Sequence, residues 1–404
     1  MRDDFVMVPQ QKRILTMNRG SSTLKSALYG AGSHVELLLS ISVDHTGETG
    51  GRLKIADPNG TILFESAGDC GDADAALEAM FARLAENGFL SGLGAVGHRL
   101  VQGGPRHKDP VQITPEFLDE LQQLIPLDPD HLPAAIQGIK FIAEKFPELP
   151  QVACFDTAFH GSIPKVANMY ALPRRLYDQG IRRYGFHGLS YEYVMGELRT
   201  LEGKLANGRV IIAHLGSGAS MVAVRDGKSV DTSMGFTPLE GLVMATRSGD
   251  VDPGALLYLF EREKMSAKVM SKLLNKQSGL LGVSETSSDM KVLIDNVPRD
   301  ARAREAVDLF CYRAKKYVGA YSAVLGGLDV LVFTGGIGEH APAVRGQICD
   351  GLDFLGMRLD AKRNEANADL ISTPESRVRV RVVKTNEDLM IARHVVSVLG
   401  WRTA

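Results

Sequence analysis

Two turns rich in glycine and serine carry the clearest chemical signal in this chain of 404 residues. The first lies in Asn18-Arg-Gly-Ser-Ser-Thr-Leu-Lys25 and the second in His214-Leu-Gly-Ser-Gly218, and each follows an apolar run. Glycine lets a backbone approach a ligand closely, and successive N–H groups in such a turn form a concavity that binds anions. Two such turns in matching contexts predict an internal duplication whose halves face each other across phosphates.

Further polar groups stand where predicted strands end. In open α/β sheets, ligands bind at the carboxyl ends of the strands. That rule brings together Asn18, Arg99, Asp156 and the glycine turns at 216–218 and 335–338. Such a set predicts phosphoryl transfer, which needs cationic clamps on the moving phosphoryl group, a metal ion and aligned attacking and leaving oxygens.

Two arginines and a histidine are candidates to contact the reacting groups. Arg99 and Arg247 are each followed by glycines, and His187 lies between glycines, so all three side chains are sterically open to a carboxylate or a phosphate. A structural ion pair would explain either arginine equally well. Asp156 could cap a buried strand or orient a nucleophile or a Mg²⁺-bound water. Glu387 could simply begin a helix, whose dipole stabilises carboxylates there.

The bulk composition excludes several classes of protein. With 46 basic and 48 acidic residues the net charge is −2, so there is no global field that favours nucleic acid or an anionic membrane. The four cysteines show no CxxC pairing and the ten histidines no HxxxH pair, which indicates free thiols and argues against zinc. Neither a signal core nor a stretch of transmembrane length is present in the sequence. We therefore expect a cytoplasmic protein with no nucleic-acid or membrane partner.

Two familiar phosphate-handling scaffolds are also missing from the sequence. There is no Walker A motif, and the HRD and DFG signatures of protein kinases are absent. A locally basic stretch is interpreted as solvated surface, and it contains Arg174, Arg175, Arg182 and Arg183.

Strands and helices alternate along the chain, which predicts an α/β fold. The length exceeds what one hydrophobic core usually supports, so two domains are expected. We expect residues 1–158 to form one domain together with a returning C-terminal helix of about 390–404, and residues 159–389 to form the other. A long helix is expected to start after Asp300 and to stop at Gly326-Gly327.

Ten short motifs, in order along nearly the whole chain, resemble those of the acetate kinase family. They are Asn18-x-Gly-Ser-Ser-x-Leu-Lys25, His98-Arg99, Phe155-Asp-Thr-Ala-Phe-His160, Tyr184-Gly-Phe-His-Gly188, His214-Leu-Gly-x-Gly218, Met234-Gly-Phe-Thr-Pro-Leu-Glu-Gly241, Thr246-Arg-x-Gly-Asp-x-Asp-Pro253, Ser287-Ser-Asp289, Phe333-Thr-x-Gly-Ile-Gly-Glu339 and Thr385-Asn-Glu387. Any one of them is modest evidence, but ten in order leave little room for chance.

The resemblance implies two duplicated ribonuclease H-like domains of the actin-like ATPase fold, flanking a nucleotide cleft. It implies acetate kinase activity, the reversible Mg-ATP-dependent phosphorylation of acetate to acetyl phosphate by direct in-line phosphoryl transfer. The cofactor would be Mg²⁺, or Mn²⁺ in its place, and ATP and ADP would be co-substrates. The resemblance also implies a homodimer.

The same resemblance assigns roles by position in the motifs. Arg99 would hold the substrate carboxylate, Arg247 the transferring phosphoryl group, and His187 would donate to the oxygens of that group. Asp156 would orient the substrate or the metal as the family's acid/base residue. The acyl pocket would be lined by Val101, Phe186 and Pro238, and the metal would be placed by Asn18 and Glu387. The nucleotide would be bound by Lys25, His214, Leu215, Gly216, Ser217, Gly218, Asp289, Met290, Lys291, Gly336, Ile337, Gly338, Glu339 and His340.

Several positions depart from the family pattern. Ser217, Lys291 and His340 replace an Asn, an Arg and an Asn near the nucleotide, and Asp130 and Gln102 replace a Leu and a His near the acyl pocket. The departures near the pocket leave the choice between acetate and propionate open, because one methylene is worth only about 1–3 kcal/mol in an apolar site.

Three alternatives to an acetate kinase stay open. One is a propionate kinase or another short-chain carboxylate kinase. The second is a nucleotide-driven switch of the actin or Hsp70 kind, which would have no need of Arg99, His187 and Arg247 together. The third is a sugar kinase or polyphosphatase of the same fold, which would need a polar pocket in place of Val101, Phe186 and Pro238.

Overall fold

The computed structural model describes residues 12–19, 23–44, 51–67, 73–129 and 131–401. The glycine and serines at 20–22, within the first of the two turns, lie outside these ranges, as does Asp130. Among the helices that are described, none combines the length and the apolar character needed to cross a bilayer.

The chain divides into two compact units. Unit 1 extends to Ala158 and also takes the segment from Asn386 onward, and unit 2 is Phe159–Thr385. The C-terminal segment of unit 1 thus begins at Asn386, slightly before the expected position near 390.

The described part of the chain holds 13 strands and 15 α-helices. The strands are β1 (Lys12–Arg19), β2 (Thr23–Ala31), β3 (Val35–Asp44), β4 (Arg52–Ala56), β5 (Ile62–Ala67), β6 (Leu93–Leu100), β7 (Val111–Gln112), β8 (Gln151–Phe155), β9 (Arg209–Leu215), β10 (Ala219–Arg225), β11 (Lys228–Thr232), β12 (Val330–Thr334) and β13 (Arg379–Val382). The helices are α1 (Ala73–Glu86), α2 (Pro115–Gln123), α3 (Leu132–Lys145), α4 (Lys165–Asn168), α5 (Arg174–Asp178), α6 (Gly188–Glu202), α7 (Pro253–Arg262), α8 (Ala267–Lys276), α9 (Gly279–Ser284), α10 (Met290–Asn296), α11 (Ala301–Leu325), α12 (Gly335–His340), α13 (Pro342–Cys349), α14 (Ala361–Glu365) and α15 (Glu387–Val398).

The two units repeat one sheet plan. The sheet of unit 1 has the order β5-β4-β3-β2-β1-β6-β8-β7, and that of unit 2 has the order β11-β10-β9-β12-β13. In unit 1, β1 pairs antiparallel with β2 and parallel with β6, which pairs parallel with β8. In unit 2, β9 pairs antiparallel with β10 and parallel with β12, which pairs parallel with β13. The order β3-β2-β1-β6-β8 therefore recurs as β11-β10-β9-β12-β13, and the predicted duplicated ribonuclease H-like fold is confirmed.

Two of the parallel strands, β8 and β12, are buried along their whole length. Every residue of β8 (Gln-Val-Ala-Cys-Phe) and of β12 (Val-Leu-Val-Phe-Thr) is buried. Continuous apolar runs of this kind are typical of strands covered on both faces. Such strands can present polar side chains only where they end, which places any chemistry at their carboxyl ends.

The long helix α11 has the ends that its sequence predicts. Asp300 caps it, because its side chain accepts hydrogen bonds from the backbone N–H groups of Arg302 and Ala303 at 2.9 and 3.3 Å. At the other end Gly326 adopts a left-handed φ of 71°, which glycine reaches without steric strain. The predicted start and stop are confirmed.

Candidate active site

In unit 1, four polar side chains meet where β1, β6 and β8 end and α15 begins. Arg99 donates from Nε and Nη2 to the two carboxylate oxygens of Asp156, at 3.0 and 2.6 Å. Its Nη1 donates to Asn18 Oδ1 at 2.9 Å and lies 3.4 Å from Glu387 Oε2. The guanidinium is thus the centre of the cluster, and the bidentate geometry with Asp156 fixes its plane.

The cluster has more negative than positive charge. Asp156 is 1% exposed, and the side chains of Arg99 and Glu387 are 20% and 14% exposed. Burial works to lower the pKa of Arg99, but the charges of Asp156 and Glu387 outweigh it and the net effect raises that pKa. Two carboxylates against one guanidinium leave a net negative charge that a bound cation would offset.

The residues present fit a magnesium ion held jointly with a substrate. Asn18 Nδ2 donates to Glu387 Oε2 at 3.3 Å, so an amide and a carboxylate lie side by side. Across the described ranges, no group of three or more His, Cys, Asp or Glu side chains could hold a metal by itself. Mg²⁺ is commonly bound through one or two carboxylates plus substrate phosphates, and not by a cage made of protein alone.

Neighbouring groups set the position of Glu387 and of the strand that carries Asn18. Asn386 caps α15 by accepting the N–H of Leu389 at 3.0 Å, which fixes the first turn of the helix. Asp388, in that turn, accepts a hydrogen bond from Thr16 at 3.0 Å, and burial is the main cause that raises the pKa of its carboxyl group.

Val101 and Lys25 also lie near this end of the sheet. Val101 follows β6 and is partly buried, and Lys25 is exposed on β2, directly opposite Asn18. Gln102 is fully buried, and its Oε1 accepts the N–H of Gly104 at 2.8 Å, which holds the glycine loop that follows β6.

In unit 2, Arg247 and His187 converge on the turn between β9 and β10. The turn is closed by a hydrogen bond from Gly216 N–H to the Gly218 carbonyl at 3.0 Å. A Cβ atom on Gly218 would lie 2.9 Å from Arg247 Nη2 and 3.4 Å from His187 Nε2. The absence of a side chain at Gly218 is therefore what lets a guanidinium and an imidazole approach the same point of the backbone.

His187 is held in an unusual backbone conformation. It has a left-handed φ of 61° directly before α6, which is uncommon for a residue with a side chain and costs about 1–2 kcal/mol. Its Nδ1 lies 2.8 Å from Ser220 Oγ, and its ring stacks on that of His214 with 4.2 Å between centroids. The sequence motif predicts an accessible ring, and the structure adds the contacts that orient it.

Pro238 and Arg247 come from one loop, which a partly buried ionic cluster holds in place. Arg247 Nη1 donates to the Pro238 carbonyl at 2.6 Å. Glu240 in the same loop accepts from Arg183 Nη2 and from the Tyr170 hydroxyl, each at 2.5 Å. Burial, together with the charge of Glu240, raises the pKa of Tyr170, so this hydroxyl stays protonated and able to donate.

The interpretation of Arg183 as solvated surface is wrong. Its side chain is 16% exposed, and besides Glu240 it donates to the carbonyls of Thr232, Ser233 and Met234. A run of basic residues looks the same in sequence whether or not a distant carboxylate covers one of them. The only signal for the pairing is a lone Glu240 in an otherwise glycine-rich and apolar motif.

The β12–α12 turn is closed by its own side chains. Glu339 Oε1 accepts the N–H groups of Gly335 at 3.0 Å and Thr385 at 3.2 Å, so this carboxylate belongs to the turn. Gly336 and His340 are exposed, Ile337 is partly buried and Gly338 is buried.

A fully buried arginine, Arg345, supports the same turn, and the sequence does not predict its burial. Arg345 donates to the carbonyls of Gly338 at 2.8 Å and Glu339 at 3.0 Å. It also donates to Asn364 and Asn367 at 2.7–2.8 Å. Burial lowers its pKa, yet the five hydrogen bonds to neutral oxygens satisfy the guanidinium.

The other predicted nucleotide contacts occupy two kinds of position. Ser217 is exposed at the β9–β10 turn, whereas Leu215 is buried beneath it, so Leu215 can offer a ligand only its backbone. Asp289 caps α10 by accepting the Val292 N–H at 3.1 Å. Lys291 is exposed and paired with Asp295 at 2.8 Å, and Met290 is buried.

Two other histidines are buried and serve the structure. His98 bonds to Gln151 at 2.7 Å, and His160 bonds to Ser229 at 3.0 Å and to the carbonyl of Phe186 at 2.9 Å. Burial lowers the pKa of each to about 4, although the hydrogen bonds act in the opposite direction. His160 thereby fixes the backbone of Phe186, which is itself 2% exposed.

We expect these two histidines to make the protein less stable in acid. Between pH 6.5 and pH 4 these two histidines are protonated in the unfolded chain but stay neutral in the folded chain. The free energy of unfolding therefore falls as the pH is lowered through this range. We expect His98→Gln to reduce the loss of unfolding free energy between pH 7 and pH 5 by about 2 kcal/mol. Urea unfolding at both pH values measures it, with exposed His34→Gln as the control. If the free energy of unfolding of His98→Gln changed with pH as it does in the wild-type protein, the lowered pKa of His98 would be contradicted.

The motifs and their geometry match a known protein family. The family model for the acetokinase family matches residues 13–393. The chain belongs to the acetokinase family. It is 45% identical over 397 residues to an acetate kinase of Rhodopseudomonas palustris, which covers 97% of this chain and 98% of that one. It is 42% identical over 398 residues to an acetate kinase of Phocaeicola vulgatus, which covers 96% of this chain and 100% of that one.

Solved structures of an acetate kinase and of a propionate kinase share the fold over 95–96% of this chain. The crystal structure of Porphyromonas gingivalis acetate kinase superposes with a TM-score of 0.87 at 41% identity, covering 96% of this chain and 100% of that one. A propionate kinase from Francisella tularensis superposes with a TM-score of 0.89 at 38% identity, covering 95% and 98%. The resemblance drawn from the sequence motifs is confirmed.

Proposed function

We propose that this acetokinase transfers the γ-phosphoryl group of ATP directly to acetate, giving acetyl phosphate and ADP, and that it also runs the reverse reaction. The observation that carries the proposal is the approach of Arg247 Nη2 and His187 Nε2 to one glycine, Gly218. The acetate kinases to which the chain is 42–45% identical support the choice of acetate.

The proposed step needs no proton transfer. A carboxylate oxygen of acetate forms a bond to the γ-phosphorus while the bond to the β,γ-bridging oxygen breaks, and ADP leaves with the electron pair. A carboxylic acid is already ionised at pH 7. We therefore assign Asp156 to orientation: its bidentate bond holds Arg99, and it abstracts no proton.

Arg247 and His187 would stabilise the transition state. In phosphoryl transfer the negative charge spreads over the three equatorial oxygens of a metaphosphate-like group. A guanidinium and an imidazole N–H at the same turn would donate to those oxygens. His214–Gly218, Asp289–Lys291 and Gly336–His340 would contact the nucleotide, and Lys25 would approach its phosphates.

Arg99 would bind the carboxylate of acetate, and Asn18 with Glu387 would hold Mg²⁺. The net negative charge of the cluster, and the amide of Asn18 beside the carboxylate of Glu387, support a cation there. When bound, Mg²⁺ would supply positive charge to the β- and γ-phosphates. Mn²⁺ prefers the same kinds of oxygen ligand and would replace it.

Acetate and propionate are the two candidate substrates. Val101, Phe186 and Pro238 are proposed to line the acyl pocket, and the similarity to a propionate kinase keeps the longer acid as the second candidate. Acyl phosphate formed from Mg-ATP with acetate, propionate or butyrate is trapped as the hydroxamate, and ADP release with each acid or with glycerol measures any phosphorylation. We expect acetate to lead and propionate to follow by about 10–200-fold in kcat/KM. Preference for a longer acid would change the assigned substrate from acetate to that acid. Phosphorylation of glycerol and of none of the acids would reject the assignment as a carboxylate kinase.

We also propose a homodimer that forms through α7. None of the ten residues of this helix is buried, and its Leu257, Tyr258 and Phe260 are 61%, 60% and 39% exposed. Contiguous exposed apolar side chains mark interaction surfaces.

A charge in that surface tests the dimer. We expect light scattering to give Leu257→Glu the molar mass of a monomer, because burying an unpaired carboxylate in the dimer interface is unfavourable. Leu63→Glu, which alters a leucine of similar exposure (50%) on β5, should remain a dimer. A wild-type monomer, or a dimeric Leu257→Glu, would refute this surface.

A further inference from the structure

The stacked rings of His187 and His214 are each hydrogen-bonded to a serine. Ser190, three residues after His187 on α6, bonds to Nδ1 of His214 at 2.8 Å. Ser220, which is paired with His214 in the β9–β10 ladder, bonds to Nδ1 of His187 at 2.8 Å. Each imidazole is therefore oriented by the serine that neighbours the other, and both serines are fully buried.

Each serine also bonds to a second hydroxyl. Thr385 donates from Oγ1 to Ser190 Oγ at 2.8 Å. The hydroxyl of Tyr191 is bonded to Ser220 Oγ, and a phenol is the better donor of the two because its O–H is the more acidic. A serine hydroxyl has one hydrogen and two lone pairs. If its oxygen accepted from Nδ1 as well as from Thr385 or Tyr191, that hydrogen would be buried without an acceptor, so we expect the serine to donate it to the imidazole Nδ1.

We propose that Ser220 and Ser190 fix His187 and His214 as neutral imidazoles with the proton on Nε2. This inference rests on the proposed phosphoryl transfer, and it makes both rings hydrogen-bond donors at neutral pH. The ring centroids lie 4.2 Å apart and Arg247 lies beside His187. Positive charge on the imidazoles is therefore disfavoured by repulsion from the guanidinium and, when both rings are protonated, from each other. Ser220 and Ser190 are positioning residues, because they act through the histidines.

The tautomers can be measured without turnover. Long-range ¹H–¹⁵N spectra of the full-length protein with ¹⁵N-labelled histidine, recorded at pH 7.5, distinguish a protonated from an unprotonated ring nitrogen. Among the ten histidines, the signals of the pair are assigned by their loss in His187→Gln and His214→Gln. We expect Nδ1 to be unprotonated and Nε2 protonated in both. Ser220→Ala should convert His187, and Ser190→Ala should convert His214, to a mixture of the two tautomers.

Turnover then separates positioning from simple structural support. We expect Ser220→Ala to lower kcat by about 10–100-fold, the loss that follows when the hydrogen-bond partner of a metal-binding histidine is removed, with KM for acetate changed by less than about threefold. Tyr191→Phe should give a smaller loss, because it keeps the serine. The control is Ser322→Ala, which removes an equally buried hydroxyl bonded to a carbonyl at 2.8 Å in α11 and should leave tautomers and kcat unchanged.

Two results would overturn the proposal. One is a proton on Nδ1 of either histidine in the wild-type protein. The other is Ser220→Ala with unchanged tautomers and unchanged kcat. A wild-type protein that forms no acyl phosphate would instead reject the proposed function, and the spectra would still report the tautomers.

Discussion

Arg247→Ala should lower kcat for acetyl phosphate formation by about 10³–10⁵-fold, the range found when a transition-state arginine is removed from a phosphoryl-transfer site. The guanidinium contacts the Pro238 carbonyl at 2.6 Å and approaches Gly218 beside His187. Its charge is needed most when negative charge spreads over the phosphoryl oxygens, so the loss should fall on kcat more than on KM. Arg247→Lys keeps the charge but loses the planar fork, and we expect it to recover only part of the activity.

The matched control for Arg247 is Arg304→Ala. Arg304 is an exposed arginine of α11 that donates to the Val297 carbonyl at 3.0 Å. This variant should have wild-type kcat. If Arg247→Ala retained more than about a tenth of wild-type kcat, Arg247 would lower the activation free energy by less than about 1.4 kcal/mol. Its assigned role in stabilising the transition state would then be wrong.

Asp156→Ala should destabilise the protein by about 3 kcal/mol, because it removes the bidentate partner of Arg99 and leaves Glu387, at 3.4 Å, as the remaining counter-charge. Asp156 is 1% exposed and holds Arg99 by two hydrogen bonds of 3.0 and 2.6 Å. The variant should also bind acetate more weakly, because the bidentate bond that fixes the plane of the guanidinium is lost. Urea unfolding measures the first effect, and KM for acetate measures the second.

A double-mutant cycle isolates the pair. Arg99→Ala should also destabilise the protein, and the double variant should lose clearly less than the sum of the two single changes, because each single change already removes the Arg99–Asp156 interaction and the sum counts that loss twice. Asp353→Ala, at an aspartate whose side chain is 70% exposed, should change stability by less than about 0.5 kcal/mol. Additive losses in the cycle would show that the pair is not coupled.

The sequence predicts the fold and the strand-end residues well for a physical reason. Strands that are apolar along their length can carry polar chemistry only at their ends, so Asn18, Arg99 and Asp156 are visible from pattern alone. The structure brings them together with Glu387, which only the family resemblance had placed at the site. Cap residues such as Asp300 act within a few residues of chain and are therefore readable as well.

The supporting residues were not predictable in the same way. Arg183 reaches Glu240 across 57 positions, and no local periodicity encodes such a contact. Arg345 lies in a short helix whose sequence does not distinguish a buried arginine from a solvated one. The serines that hold His187 and His214 are equally hidden, because their partners are decided by how α6 packs against the β9–β10 ladder.

The most direct test of the central claim starts from the product side. The purified protein is mixed with acetyl phosphate and Mg-ADP, and ³¹P NMR follows the phosphorus signals over time. We expect ATP to appear as acetyl phosphate disappears, and the same final ratio to be reached from Mg-ATP and acetate. Release of inorganic phosphate without ATP, or nucleotide binding without any exchange between the two phosphate donors, would contradict direct phosphoryl transfer and favour a nucleotide-driven switch.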